Sequence, residues 1–379
     1  MTVFDPSEAR TPTGFLKVFH FNWSIFLLML ATAGVGFMML FSVAGGTLDP
    51  WARLQMIRFG VGVAVMFVIA LVDIRVWRGL SVLAYLGALG LLVGVELFGT
   101  VGMGAKRWIN LGFMQLQPSE VMKITLVMVL ARYYAWLPPD RVSRPIWVLG
   151  PILVALAPML LVLAQPDLGT ALLLALGGAA VMFLAGVSLW YFVIAALAGS
   201  GAVYAVIASR GTGWQILHDY QFRRIETFLD PASDPLGAGY HITQSTIAMG
   251  SGGLTGRGFM QGTQSRLNFL PEKHTDFIFT TLAEEFGFAG AIALLGLYTL
   301  IVILACASAL SNRNRYGALL TGGIAATFFL YFALNMAMVM GLAPVVGVPL
   351  PFVSYGGSAM LVLLGAFGLM QSAHIHKPR

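Results

Sequence analysis

The feature that most constrains this chain is a succession of apolar runs at residues 24–46, 54–72, 77–98, 118–136, 147–164, 169–186, 189–208, 277–306, 317–339 and 352–372. An apolar run of about 18 or more residues is long enough to cross the roughly 30 Å hydrocarbon layer as a helix. The reading is an all-α, polytopic membrane protein with ten transmembrane helices, a single integral membrane domain over residues 1–379. With 58% of the residues hydrophobic and only 10% charged, no soluble core needs to be sought. The one cysteine, Cys306, lies inside an apolar run, which excludes an intramolecular disulfide and a cysteine-based metal site. The formal charge of +6 reports topology and contact with anionic membrane lipid rather than a nucleic-acid partner.

Lys and Arg in the short loops set the orientation. With the amino terminus inside, the cytoplasmic side collects eleven: Arg10, Lys17, Arg75, Arg78, Arg132, Arg141, Arg144, Arg313, Arg315, Lys377 and Arg379. The short outer loops collect only three, Arg53, Lys106 and Arg107, so both termini are expected in the cytoplasm. No cleavable apolar core followed by a small-residue site precedes the first run, and the first span is expected to direct insertion itself. Residues 1–23 are read as a cytoplasmic and interfacial segment, where Phe15, Phe19, Phe21 and Trp23 beside Lys17 suit the headgroup level. Residues 209–276 then form a large periplasmic loop between the seventh and eighth helices, far longer than a connector requires. Its glycine-rich run, GAGYHITQSTIAMGSGGLTGRGF, does not fit a dinucleotide fingerprint, because Thr255 stands where the third glycine belongs. Backbone flexibility and close approach are the reading.

In this orientation the even-numbered helices all begin at the outer face, and their first turns hold the unusual residues: Arg58, then Glu120 and Lys123, then Asp167, then Asp276, then SYGGS from Ser354 to Ser358. Asp276 follows Lys273 and His274 directly before an apolar run. An acid there can cap a helix and complement its dipole, or, facing an outer cavity, take a proton from a substrate hydroxyl. Glu120 and Lys123, three apart, can pair on one helix face or organise an anion-binding cavity. Asp167 admits the same two readings. Glu284 and Glu285 lie deep enough that each must face protein or water, and at least one is expected to bond to neighbouring helices. Lys106, Arg107 and Trp108 can anchor at the interface, or hold a pyrophosphate beside a sugar face. Arg223, Arg224, Arg257, Arg266 and Lys273 add cations to the long loop, each singly better suited to lipid headgroups. His218, His241 and His274 lack metal-ligand spacing, while the acids together with a pyrophosphate could recruit Mg2+.

Acids and cations gathered at the outer ends of several helices point to a substrate met at the outer leaflet, where no ATP is available. A lipid-linked pyrophosphate sugar would arrive already activated. A lipid flippase and a noncatalytic scaffold are the competing classes. Against a transporter stand the absence of a persuasive internal repeat and charges clustered at one face rather than the midplane.

KRWINLGFMQLQPSEVMK, AQPDLGTA, the glycine-rich run above, GTQSRLNFLPEKHTDFIFTTLAEEFG and GVPLPFVSYGGSAM, in this order, resemble the SEDS family (shape, elongation, division and sporulation proteins). The resemblance covers essentially the whole chain, and the short tail and length are most similar to the family's elongation branch. It implies a ten-helix peptidoglycan glycosyltransferase that polymerises lipid II by a β-1,4 bond between MurNAc and GlcNAc, in the bacterial inner membrane with its active site toward the periplasm. Asp276 falls in the family's HTDFIF motif and would act as general base toward the acceptor 4-hydroxyl, with inversion and departure of undecaprenyl pyrophosphate. Trp108 matches the family's important outer-loop tryptophan. Arg58, Glu120, Lys123 and Asp167 match its polar cavity positions. The implied partners are a class B penicillin-binding protein, as transpeptidase, and other elongation-machinery proteins.

Overall fold

We describe the fold from a computed structural model, which describes residues 14, 16–102, 105–110, 112, 115–211, 215, 222, 238–263, 273–345 and 347–377. In chain order the helices are α1 (Leu16–Phe19), α2 (Trp23–Val43), α3 (Ala52–Leu71), α4 (Ile74–Phe98), α5 (Pro118–Trp136), α6 (Pro145–Ala164), α7 (Leu168–Leu184), α8 (Leu189–Ala208), α9 (Ala238–Ser251), α10 (Ile278–Leu310), α11 (Arg315–Val339) and α12 (Gly357–Ile375). Among the described residues the expected ten long helices are all found, and eight are long and apolar enough to cross a membrane. The protein is an all-α, multi-pass membrane protein.

One connection departs from the all-helical reading. Between α4 and α5, β1 (Thr100–Gly102), β2 (Ala105–Asn110) and β3 (Gln115–Leu116) form a small antiparallel sheet in the order β1-β2-β3. Short strands next to long apolar runs carry too little periodicity to be read from sequence. The sheet brings Arg107 and Trp108 back over the ends of the helices. Much of the expected loop 209–276, including Arg223, Arg224 and Arg266, lies outside the described residues, as does most of the segment 1–23.

The long helices alternate in direction, so α3, α5, α7 and α12 start at one end of the bundle. Helix α11 is buried along most of its length and packs on α5, α7, α10 and α12. Helix α8 is the opposite extreme, with no buried residue. Its surface is apolar throughout, as a lipid-facing helix requires.

The eighth apolar run forms a longer helix than the sequence suggests, and a broken one. Within α10, Gly287 adopts φ 66°, ψ −161°, a region essentially restricted to glycine. In an unbroken helix the N–H groups of Phe288 and Ala289 would bond to the carbonyls of Glu284 and Glu285. They bond instead to the carbonyls of Gly253 (2.9 Å) and Leu254 (3.0 Å). The freed carbonyls of Glu284 and Glu285 accept from the N–H groups of Arg257 (3.0 Å) and Gly258 (3.0 Å). The glycine-rich segment is therefore the partner of a helix break, and it satisfies these four exposed backbone groups. Close approach explains two of these glycines: a Cβ on Gly256 would sit 2.1 Å from the Glu285 carbonyl oxygen, and one on Gly252 2.1 Å from that of Ala283. The first part of the same run is the regular helix α9.

A second irregular stretch, 340–356, is threaded through the bundle ahead of α12, which therefore starts at Gly357 rather than at residue 352. Its backbone is satisfied by side chains: Tyr298 donates to the Pro351 carbonyl at 2.6 Å, Gln55 to that of Ser354 at 2.9 Å, and Asn335 to that of Val348 at 2.7 Å. Phe352 turns with φ 62°. A Cβ on Gly36 would lie 2.7 Å from the Phe352 carbonyl oxygen, so the loop packs directly on α2.

Replacing Gly256 by Ala is expected to lower stability by about 2 kcal/mol or more, because the clash is with backbone rather than with a side chain that can move. Gly250→Ala, where open space surrounds the Cβ, serves as the control. Thermal unfolding of the purified variants in one detergent checks this, and equal midpoints would contradict the clamp.

Candidate active site

At the end of the bundle where α5, α7 and α12 begin, a cavity of about 270 Å³ collects Arg107 and Trp108 from the sheet, Glu120 and Lys123 from α5, Asp167 ahead of α7 and Asp276 ahead of α10. These six were singled out from sequence. Antiparallel helix topology brings them together from segments that are far apart in the chain.

Glu120 and Lys123 lie one turn apart on α5 and form an ion pair at 2.7 Å, with side chains 7% and 2% exposed. Tyr331 of α11, which the sequence reading missed, closes the group: its hydroxyl donates to Glu120 Oε2 and accepts from Lys123 Nζ. The ammonium also lies 4.2 Å from the centre of the Tyr331 ring. The two side chains form a satisfied buried pair that is part of the cavity wall.

Asp167 is likewise both a cap and a wall residue. Its Oδ1 accepts from the Thr170 N–H at 3.1 Å and its Oδ2 from the Thr170 hydroxyl at 3.0 Å, fixing the start of α7. Gln117 donates to Oδ2 at 3.4 Å, and Arg107 Nη1 lies 3.8 Å from it. Arg107 is also held by the carbonyl oxygens of Gln165, at 3.1 Å from Nε, and Pro166. Its guanidinium is locked to the α6–α7 turn, a planar donor presented at the cavity edge.

The N-cap position of α10 is Phe277, and Asp276 stands in the turn before it, with its side chain partly exposed. Asn335 of α11 fixes its backbone by donating one amide to the carbonyls of both Asp276 (2.9 Å) and Val348 (2.7 Å). A Cβ added to Gly347 would come within 3.7 Å of Asp276 Oδ2, so the glycine keeps the wall beside the carboxylate open.

The remaining sequence candidates surround the cavity without lining it. Arg58 of α3 lies behind it, with Cζ 4.9 Å from the centre of the Tyr355 ring. A Cβ at Gly357 would stand 3.5 Å from that Cζ, and Arg58 Nη1 is buried with no hydrogen-bond partner. His274 stacks on Trp51, with centroids 4.6 Å apart, while its carbonyl accepts from the Tyr355 N–H at 2.9 Å. Ser354 ties loops together, donating to the Thr275 carbonyl at 2.6 Å and accepting from the Leu350 N–H at 2.7 Å. Ser358 accepts from the Gln117 N–H at 3.3 Å. Both serines thus hold the frame, and neither is a wall residue. Burial pulls the Lys273 ammonium below the ordinary lysine value. Of Lys106 only the backbone is described, paired in the sheet with Val101.

Glu284 and Glu285 serve the helix break. Glu285 accepts from the Ser42 hydroxyl of α2, and Glu284 from the Thr263 hydroxyl at 3.1 Å. Tyr331 and Asn335 carried no usable signal in sequence, since an aromatic or amide inside an apolar run reads as packing.

The residues present do not build a cage for Mg2+. Among the described residues no three ligand-type side chains converge, and Glu120 and Asp167 already carry hydrogen-bonding partners.

A family model described as a cell cycle protein, covering FtsW, RodA and SpoVE, matches residues 22–379. The peptidoglycan glycosyltransferase MrdB of Escherichia coli K12 is 41% identical over 360 residues, 94% of each chain. The peptidoglycan glycosyltransferase RodA of Treponema pallidum is 31% identical, spanning 94% of this chain and 98% of its own. Among solved structures, a chain from work on the structural coordination of polymerization and crosslinking by a peptidoglycan synthase complex superposes with a TM-score of 0.80 at 31% identity, covering 93% of this chain and 97% of that one. The rod shape determining protein RodA of Thermus thermophilus superposes with a TM-score of 0.70 at 27% identity, covering 95% and 98%.

Removing one member of the buried pair strands the other. Glu120→Ala is expected to destabilise the fold by about 3–5 kcal/mol, and Glu120→Leu combined with Lys123→Met to recover most of that loss. Denaturant titration of the purified variants measures both, and a single variant as stable as the wild type would contradict the pairing.

Proposed function

The chain belongs to the FtsW/RodA/SpoVE family of cell cycle proteins, and on that premise we propose that it is a peptidoglycan glycosyltransferase that polymerises lipid II at the outer face of the bacterial inner membrane during cell elongation. The observation that carries the reading is the placement of Asp276. A partly exposed carboxylate stands in a cavity whose other walls supply a guanidinium, an ammonium and a tryptophan ring. Orientation by loop charge puts this end of the bundle in the periplasm, with both termini in the cytoplasm and the segment 209–276 as the large periplasmic loop.

Asp276 removes the proton from the 4-hydroxyl of the acceptor GlcNAc. The freed oxygen attacks C1 of the donor MurNAc from the face opposite the phosphate. The new C1–O4 bond forms as the C1–O(phosphate) bond breaks, which inverts the configuration to β-1,4. Undecaprenyl pyrophosphate leaves with the bonding electrons. Arg107 offers planar donors to that pyrophosphate, and Lys123, neutralised by Glu120, holds the rigid wall beside it. Trp108 supplies a flat face for a sugar ring. Arg58, behind Tyr355, adds positive potential and holds the start of α12. Lys273 and His274, in the turn that carries Asp276, act through its position. The crosslinking partner is a class B penicillin-binding protein, a reading supported by the similarity to a chain of a peptidoglycan synthase complex.

In a reconstituted assay with labelled lipid II and the partner, Asp276→Asn is expected to lower polymerisation by about 10²–10⁴-fold with the thermal midpoint unchanged. Equal polymer from both proteins would remove Asp276 as the base. Lipid II moving across vesicles with no polymer would favour a flippase instead.

A further inference from the structure

A second cavity opens at the opposite end of the bundle, between the start of α4 and the end of α5. Its volume is about 520 Å³, and it is lined by Arg75, Arg78, Gly79 and Val82 on one side and by Val129, Arg132, Tyr133 and Trp136 on the other. Each set follows the i, i+3, i+4, i+7 spacing of a single helix face, so two matching stripes face each other across a furrow. The furrow spans seven residues of each helix, about 10 Å at 1.5 Å per residue.

Its chemistry is graded along that depth. Arg75 and Trp136 stand at the mouth, Arg78 and Arg132 one turn in, and Val82 and Val129 at the floor toward the membrane interior. Arg132 is fixed in place, its Nη1 donating to the carbonyls of Arg78 (3.0 Å) and Gly79 (2.7 Å) of α4. Tyr133 is tied by its hydroxyl to the Trp147 carbonyl at 2.8 Å, and Trp136 packs 5.9 Å from the Trp147 ring. Trp136 nonetheless remains 64% exposed. No carboxylate lines the furrow among the described residues.

Arg75 and Trp136 at the mouth, two arginines one turn in and a valine floor match in order the interfacial, phosphate and acyl levels of a phospholipid. We propose that this furrow is a binding site for an anionic glycerophospholipid of the inner leaflet, with the phosphate between Arg78 and Arg132 and one acyl chain over Val82 and Val129. Orientation by loop charge puts this end in the cytoplasmic leaflet, and basic pockets between transmembrane helices on that side suit anionic headgroups. General attraction of basic loops to the leaflet needs no cavity. Here two guanidiniums converge on a recess with an apolar continuation, and that shape selects a lipid over free phosphate.

The test uses the full-length protein in phosphatidylcholine nanodiscs carrying a minor fraction of a phosphatidylglycerol with a photoactivatable acyl chain. Crosslinked peptides are then mapped by mass spectrometry. Expected is labelling concentrated around residues 82 and 129, weak labelling there by phosphatidylcholine bearing the same chain, and a fall of about fivefold or more in Arg78→Gln. Arg78 has no role in the lipid II pocket, so polymerisation by the variant in phosphatidylcholine should match the wild type. Equal labelling by the two lipids in the wild type would overturn the proposal, and this comparison decides it even if the variant fails to fold. Unchanged labelling in a folded Arg78→Gln protein would also overturn it. Loss of labelling in 10 mM inorganic phosphate at matched ionic strength would point to a free-phosphate site and overturn it as well.

Discussion

Hydrocarbon offers no water to unpaired backbone groups, and the rest of this structure follows from that constraint. It accounts for helices over most of the described chain. It also decides where the chain can depart from them. The break at Gly287 survives because the segment after α9 returns to exchange hydrogen bonds with it. The irregular stretch before α12 survives because Tyr298, Gln55 and Asn335 reach into it. Each unsatisfied group would otherwise cost several kcal/mol.

Those two irregular segments also position the chemistry. Asp276 lies between the glycine-rich segment and α10, in a turn whose backbone is pinned by Asn335 and, two residues earlier, by Tyr355. Gly347, in the second irregular stretch, leaves space at the carboxylate. Asp276 stands just outside α10, in a turn held from outside the helix, and lines the cavity.

Charge is handled differently at the two ends of the bundle. In the outer cavity Glu120, Lys123 and Tyr331 form a closed, nearly dry group. Such a group contributes little net stability, because desolvation offsets much of the Coulomb attraction. Its value is a rigid wall of fixed potential. At the other end Arg78 and Arg132 face an open furrow with no carboxylate in its described lining. A leaflet of anionic lipid is the natural counter-charge there, and a lipid held in the furrow would join α4 to α5. Since α5 carries Glu120 and Lys123 at its opposite end, one helix runs from the proposed lipid site to the cavity that holds Asp276.

The sequence by itself determined the membrane class, the ten long helices and six of the residues that line the outer cavity. Hydrophobic run length and the rarity of intramembrane charge are both local signals, legible without knowing what packs against what. It did not reveal the sheet that folds Arg107 and Trp108 over the helix ends, because strands this short leave no periodic trace. Nor did it reveal Tyr331 between Glu120 and Lys123, or Asn335 behind Asp276, because a polar atom inside an apolar run declares its partner only when another helix comes alongside. The glycine-rich run shows the division most clearly. Its composition suggested flexibility and close approach, and only the passage of the α10 backbone against Gly252 and Gly256 showed where the approach occurs.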